Sequence, residues 1–510
     1  LLLICGFLTT CTQTQAADTP RPNVLLLLAD DLGYSDLGCY GGEIATPNLD
    51  KLAAGGLRFT QFYNTARCWP TRAAILTGQY AQSVRRDAFE GAKGGGSQAK
   101  RPAWAHLLPV FLREHGYRNY HSGKWHIDGQ PLQNGFDHSY RIDDQDRHFS
   151  PKQHWLDDMP QPDVNRNEGY YGTVAIADHA IKTLKQHATD HAGKPFFHYV
   201  AWTTPHFPLM ALPEDIARYK GKYAAGWDAL RVERHKRMRE LGLVNCDLSP
   251  RTADVPAWDS LTDAQRIEWQ HRMEVHAAMV DRIDRETGRL LDQLRAMNTL
   301  DNTLILFVSD NGASAEKILR GDGHDDTAEP GSAGWYRCLE PGWANLANTP
   351  FRFSKIYVHE GGISTPCIVH WPAKIAAKGE LRHGMGHVMD IPPTIMVALG
   401  LPWPKEWQGQ SLPAPEGKSL TPLFTTNAPS PHQDLWWSHS GNRAIRSGDW
   451  KLVSAGKDSA GNHNPWELYD LSKDRSESHD LAKEMPDRVN ELAALWQSRE
   501  AANRALANRE

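Results

Sequence analysis

The sequence predicts an α/β protein with a largely parallel central sheet, on three observations. Short apolar runs, continuous in NVLLLLADD and TLILFVSDNG and interrupted by one His in FFHYVAWTTPH, alternate with stretches of helical period, as when helices cross over between parallel strands. Each run passes straight into polar side chains, and in open α/β sheets ligand-binding groups gather at the carboxyl ends of strands. The 510 residues suffice for one large domain and a smaller one.

In chain order, the opening LLLICGFLTTCTQTQAADTP carries an apolar run of about eight residues and then small and polar ones. It reads as the apolar region and cleavage zone of an export signal lacking its charged start, cut near Ala16 or Ala17, so residues 1–17 are assigned to a leader. A lipid-modified Cys11 is the less favoured alternative. This run is too short to span a bilayer, and no later run approaches a membrane helix. Val24 to Leu28 is the first expected strand, followed by Asp30 and Asp31. Gly91 to Gln98 reads as a flexible loop by composition. Phe196 to Ala201 is the second strand and leads to His206. From Met273, apolar residues recur at Ala277, Val280, Ile283, Leu290, Leu291 and Leu294, a helix that would cover the sheet. Leu304 to Ser309 is the third strand, followed by Asp310 and Asn311, and Cys367 to His370 is the fourth. Residues 312–350 show no period and read as a long loop at the substrate rim. The large domain is expected over 18–425. Over 426–510, LWWSH, RAIRSGDWKLV and WELYDL read as an antiparallel sheet, and Pro486 to Asn508 as a terminal helix.

Composition narrows the function. With 56 basic and 61 acidic side chains interspersed and a net charge of -5, no basic field favours nucleic acid. The 18 tryptophans suit sugar stacking but more simply fill core and loops. Seven cysteines, two of them in the leader, show no C-x-x-C spacing, which argues against zinc; most of the rest are expected to be buried free thiols.

Chemistry concentrates at Cys68-Trp69-Pro70-Thr71-Arg72, followed by Leu76-Thr77-Gly78. Pro70 suits the first turn of a helix, which sets Cys68 at a helix N-terminus, where N–H groups favour an anion, with Arg72 one turn along. Asp30, Asp31, Asp310 and Asn311 are hard oxygen ligands suited to Ca2+ or Mg2+, and three facing carboxylates would be costly without a cation. Alone, Asp-Asp after a strand serves equally as a cap or turn. A thiol nucleophile is the bland reading of Cys68, but a tyrosine-phosphatase-type loop needs Arg where Ala74 stands, and no papain-type signature is present.

The C-x-P-x-R stretch at Cys68 resembles the signature of type I sulfatases, in which that cysteine is oxidised to formylglycine. The two Asp segments, HSGKWH with Lys124 and His126, FFHYVAWTTPH with His206, and KIYVHEGG with Lys355 are each similar to a sulfatase active-site segment. The resemblance runs from about residue 22 into the C-terminal region. GDGHDD, WANLANTPFRF and HEGGISTPCIVHWP look like segments of secreted bacterial arylsulfatases. It implies an alkaline-phosphatase-like sandwich, a large mostly parallel sheet flanked by helices, plus a smaller C-terminal domain with an antiparallel sheet and terminal helix. It implies hydrolysis of carbohydrate or aryl sulfate monoesters, with Ca2+, or Mg2+ as the alternative, on Asp30, Asp31, residue 68 as formylglycine, Asp310 and Asn311. It also implies maturation by a formylglycine-generating or radical sulfatase-maturating enzyme, and an exported, periplasmic or extracellular protein.

The same resemblance implies the roles. One hydroxyl of the hydrated aldehyde from Cys68 attacks sulfur, while Arg72 holds ligands and hydrate in place. His206, aided by Lys355, protonates the leaving alcohol. His126 takes the proton of the second hydroxyl so that sulfate is expelled, and Lys124 bridges hydrate and sulfate. His324, His359, Asn345 and Asn348 are weaker candidates for the substrate site. Two departures stand out: Thr71 where Ser or Ala is frequent, and Ser364 where many sulfatases carry Arg. Specificity is expected in loops around 85–100, 130–160, 205–260 and 312–350. Two competing readings are a phosphonate or phosphate diester hydrolase of the same fold and a sulfated-glycan binding protein with a degenerate site; the full set of polar residues argues against the latter.

Overall fold

The computed structural model describes residues 21–89, 95–166 and 168–509. The expected leader and the glycines at 91–94 lie outside these residues. Ten strands form the main sheet: β1 (Asn23–Ala29), β2 (Leu57–Phe59), β3 (Arg118–Lys124), β4 (His138–Ile142), β5 (His154–Leu156), β6 (Met159–Pro160), β7 (Phe196–Ala201), β8 (Thr303–Ser309), β9 (Cys367–His370) and β10 (Glu380–Arg382). Their order is β10-β2-β9-β8-β1-β7-β3-β4-β5-β6. The central run β8-β1-β7-β3-β4 is parallel, while β9 and the β5-β6 edge are antiparallel to their neighbours.

The unbroken apolar run of β1 follows from this placement, because a central parallel strand is buried on both faces. Val24, Leu26 and Leu28 enter one hydrophobic cluster, Leu25, Leu27 and Ala29 the other, and all are fully buried. The first cluster is shared with helix α1 (Cys68–Thr77) and the C-terminal region, the second with α2 (Gly172–Asp190) and α3 (Asp263–Ala296). Helix α3 covers the sheet as its period predicts, with Met273, Ala277, Val280, Ile283, Leu290, Leu291 and Leu294 buried. Thr262 caps it, accepting from the Gln265 backbone at 3.3 Å while Gln265 returns a bond to the Thr262 N–H at 2.9 Å.

All four expected strands of the large sheet are present, and so is the smaller antiparallel sheet, β11 (Asp434–His439), β12 (Asn442–Ser447), β13 (Trp450–Ser454) and β14 (Glu467–Asp470). The terminal helix α4 spans Pro486–Ala507; its Trp496 donates to the Trp437 carbonyl at 3.0 Å and packs on Trp436. The expectation of an irregular 312–350 needs correction: Glu340–Ala347 is a helix, with Trp343, Ala344, Leu346 and Ala347 buried. Among the described residues all five cysteines are free, four buried and Cys39 half-buried. Among the described residues no helix is long and apolar enough to cross a membrane.

Candidate active site

Strands β8 and β1, side by side, and β3, one strand further across β7, deliver the polar residues to one end of the sheet. Beyond β1, Asp30 is tied through its N–H to the Thr204 carbonyl at 3.0 Å; beyond β8, Asp310 is tied to the Ala29 carbonyl at 3.1 Å. These bonds continue the ladder and lock the carboxylates side by side. Lys124 closes β3. The residue before it, Gly123, has φ +119°, and a Cβ there would lie 1.8 Å from the Ala201 carbonyl oxygen of β7. Only glycine lets the two strands approach so closely at the site.

Helix α1 begins at Cys68, as Pro70 predicts, and nearly all of it is buried. Thr71 donates to the Asp310 carbonyl at 2.6 Å and accepts from the Thr65 N–H at 3.1 Å, binding the helix start to the end of β8. Arg72, fully buried, donates Nε and Nη2 to Asp310 Oδ2 at 3.1 and 2.8 Å and Nη1 to the Lys124 carbonyl at 3.0 Å. Burial alone would lower its pKa; the Asp310 carboxylate overrides this and holds it above the usual range.

Each remaining carboxylate has a lysine. Lys124 Nζ lies 2.7 Å from Asp30 Oδ2, and Lys355 Nζ lies 2.9 Å from Asp31 Oδ2. Lys355 also meets Glu316 at 3.1 Å, a site carboxylate that carried no signal in the aperiodic 312–350 stretch. Burial opposes the charge on Lys355, but Asp31 more than compensates and raises its pKa. His206 donates Nδ1–H to the Phe207 carbonyl at 2.5 Å, leaving Nε2 3.8 Å from Asp31 Oδ2. Burial, then Lys355, holds this imidazole well below the ordinary His range. Half-buried His126 sits at φ +56° with Nδ1 lacking a hydrogen-bond partner; burial and Lys124 keep it neutral too. Thus Cys68, Arg72, Lys124, His126, His206 and Lys355 all occur around one end of the sheet with Asp30, Asp31, Asp310 and Asn311.

The donor set fits a hard cation. Asp30, Asp31 and His206 each offer a ligand atom within 4.8 Å of the others. Asp30 Oδ1 and Asn311 Oδ1 are buried without hydrogen-bond partners, the condition a bound ion would relieve. Burial and the facing carboxylate push Asp30 up, and burial likewise raises Asp310. Asp310 stands outside the tight group, its Oδ2 taken by Arg72 and its Oδ1 by the Asp31 N–H at 3.2 Å.

Among the weaker candidates, His359 does not line the site. It is fully buried against Phe353, with Nε2 3.4 Å from Glu467, where it packs the small sheet onto the large one. Asn348 is a backbone clamp, accepting from the Ala313 N–H at 2.8 Å. Asn345 is buried with its side chain unpartnered, and His324 pairs with Asp326 at 3.2 Å. Ser364 has a guanidinium beside it despite the absent Arg: Arg475, from the C-terminal region, reaches Ser364 Oγ at 3.3 Å and Glu360 Oε2 at 2.9 Å.

Comparison with known proteins agrees with this arrangement. The family description "Sulfatase" matches residues 22–401, and "N-sulphoglucosamine sulphohydrolase, C-terminal" matches 351–500. An uncharacterized sulfatase of Schizosaccharomyces pombe is 34% identical over 527 residues, covering 94% of this chain and 93% of the relative. An arylsulfatase of Klebsiella aerogenes is 29% identical over 423 residues, covering 76% and 88%. In fold, the chain is similar to Ps i-CgsB in complex with k-i-k-neocarrahexaose, at a TM-score of 0.67 and 24% identity over 96% of this chain and 94% of that one. The sheet, its flanking helices and the separate small sheet fit the alkaline-phosphatase-like fold of such structures. With this chain matched over most of its length and its polar residues gathered at the strand ends, the protein belongs to the sulfatase family and is a sulfuric ester hydrolase.

Proposed function

We propose that the protein hydrolyses sulfate monoesters of carbohydrates or aryl alcohols, using a formylglycine made from Cys68 and a bound Ca2+, with Mg2+ as the alternative. The observation that carries this reading is the placement of Cys68 at a buried helix start, with Arg72 on Asp310, Lys124 on Asp30 and Lys355 on Asp31. Asp30, Asp31, Asp310, Asn311 and residue 68 would hold the cation, which when bound offsets the charge of the ester oxygens. A hydrated formylglycine supplies two geminal hydroxyls, one to attack sulfur and one to allow release, which no ordinary side chain offers.

The chain's own groups then divide the work. The N–H groups at the start of α1 face the anion, and Arg72 fixes Asp310 and the β3 end together. Lys124 and Lys355 bring positive charge to where the sulfate oxygens would lie. His206, its Nδ1–H committed to the Phe207 carbonyl, has Nε2 free to pass a proton to the leaving alcohol; the bound ester's negative charge favours that protonated form. His126 is the base for the second hydroxyl. The C-terminal family description, which names a sulfated sugar, supports a carbohydrate substrate, and the arylsulfatase relative supports an aryl ester. A formylglycine-generating or radical maturating enzyme would act on Cys68. Export rests on the apolar run in residues 1–8.

The test is the mass of the peptide containing residue 68 after coexpression with a formylglycine-generating enzyme, paired with sulfate release. Conversion lowers the mass by about 18 Da and should turn on hydrolysis that chelation abolishes and Ca2+ restores. Hydrolysis by unconverted protein would overturn the mechanism. A larger kcat/KM on a matched phosphodiester would overturn the substrate class.

A further inference from the structure

Lys355, the lysine that aids His206 with the leaving alcohol, is buried between two carboxylates. Its Nζ lies 2.9 Å from Asp31 Oδ2 and 3.1 Å from Glu316 Oε2. It also stands 5.2 Å from the centre of the Phe207 ring, which lies against His206 with the two ring centres 4.1 Å apart. Asp31 is shared with other groups: its Oδ1 accepts from Asn311 Nδ2 at 2.6 Å and its Oδ2 faces His206 Nε2 at 3.8 Å. Glu316 stands outside the Asp30, Asp31 and His206 group, and its partners lie on the other side of the lysine.

Glu316 is itself braced. Its Oε2 accepts from Ser314 Oγ at 3.1 Å and its Oε1 from Arg67 Nη2 at 3.2 Å. Arg67 directly precedes Cys68, and its guanidinium stands 5.1 Å from the centre of the Trp69 ring. The backbone repeats the connection, with the Lys355 N–H donating to the Ala313 carbonyl at 3.2 Å and the Ile356 N–H to the Ala66 carbonyl at 2.8 Å. Three segments therefore meet at Glu316: the approach to α1, the chain beyond β8 and the turn that carries Lys355. Burial alone would raise the Glu316 pKa, but Lys355 and then Arg67 lower it, so the group is a carboxylate at neutral pH. The side chains of Arg67 and Glu316 are only 16% and 12% exposed. So nearly buried an ion pair is a weak source of net stability, while a lysine head on its flexible stem gains a fixed direction from such partners.

We propose that Glu316, braced by Arg67, is a positioning residue that aims the Lys355 ammonium at the oxygen of the departing alcohol, so that sulfate esters of sugar alcohols depend on it more than aryl sulfates do. This rests on the sulfatase reading above. As the S–O bond breaks, its electron pair stays on the alcohol oxygen, which takes the proton of His206 while Lys355 offsets the developing charge. A sugar alkoxide is a poor leaving group and needs that help, whereas 4-nitrophenolate spreads its charge over the ring and leaves with little.

The experiment measures kcat and KM of converted, Ca2+-loaded protein on a sulfated sugar and on aryl sulfates from 4-nitrophenyl to unsubstituted phenyl, for wild type, Glu316→Gln and Arg67→Met. Glu316→Gln should lower kcat on the sugar sulfate by about thirtyfold and on 4-nitrophenyl sulfate by no more than about threefold, with KM nearly constant. The dependence of kcat on leaving-group acidity should steepen accordingly. Arg67→Met should act in the same direction but more weakly, by about fivefold on the sugar ester. That variant keeps the Glu316 charge, so it decides the question if Glu316→Gln folds poorly. General disturbance of the site would lower all esters alike, so equal losses across the series, or a leaving-group dependence unchanged in both variants, would overturn the proposal. If converted wild type cleaves no sulfate ester, the sulfatase reading itself fails and this inference falls with it.

Discussion

Thr71 and Ser364, the positions where the chain departs from common sulfatase sequence, both have partners that account for them. The Thr71 hydroxyl serves two backbone groups at once, the Asp310 carbonyl and the Thr65 N–H, so Thr71→Val should leave both unmet and cost about 1–3 kcal/mol in urea unfolding, with Thr71→Ser close to wild type. Cys68, Arg72 and the Asp pairs were legible because their segments resemble sulfatase segments, and the helix start and strand ends expected around them are where the structure has them. Glu316 and Arg475 were not. Each acts through a partner remote in sequence, Lys355 for one and Glu360 with Ser364 for the other, and neither lies in a periodic stretch. His359 misled because its segment belongs to the site while its own ring turns away to Glu467.

At the scale of elements, burial on both faces made β1 and β8 easy to read, since their interiors are apolar without a break, and β7 nearly so, with His198 alone interrupting it. Strand β3, RNYHSGK, is just as buried yet polar, because its side chains bond one another's neighbours: His121 to Ser139 at 2.9 Å, Ser122 to His198 at 3.0 Å. Such satisfied polar groups hide a strand from hydropathy. The Glu340–Ala347 helix was hidden for a related reason, as burial over most of its surface erases an amphipathic period. Gly123 concentrates the dependence of β3 on its neighbour. In Gly123→Ala the new methyl would meet the Ala201 carbonyl and the backbone would be strained, so a loss of about 3 kcal/mol or more is expected, seen as a lowered Tm together with lost activity as Lys124 shifts.

Across the whole molecule, the two sheets are joined by a buried ionic cluster. Lys451 on β13 lies 3.0 Å from Glu360 and 2.8 Å from Glu477, and Arg475 lies 2.9 Å from Glu360. Lys451→Met leaves two buried carboxylates short of charge and should cost about 3–5 kcal/mol, measured by chemical denaturation. Burial would raise Glu360, but Lys451 and then Arg475 hold it down to about 2. Its contribution is therefore complete above the unfolded pKa of about 4.5 and disappears as pH falls toward 2, so the Tm gap between wild type and Glu360→Gln should be wide at pH 7 and close under strong acid. The central position of β1 has a consequence in time. Asp31 waits for an Asp310 that lies 279 residues further along, and the strand between β7 and β8 waits with it. At about 5–20 residues per second of synthesis, β1 stands with one edge unpaired until β8 exists, roughly 15 to 60 s after β1 is made. A chain halted before residue 303 would display an apolar seven-residue strand still lacking one neighbour, which makes premature termination a route to aggregation.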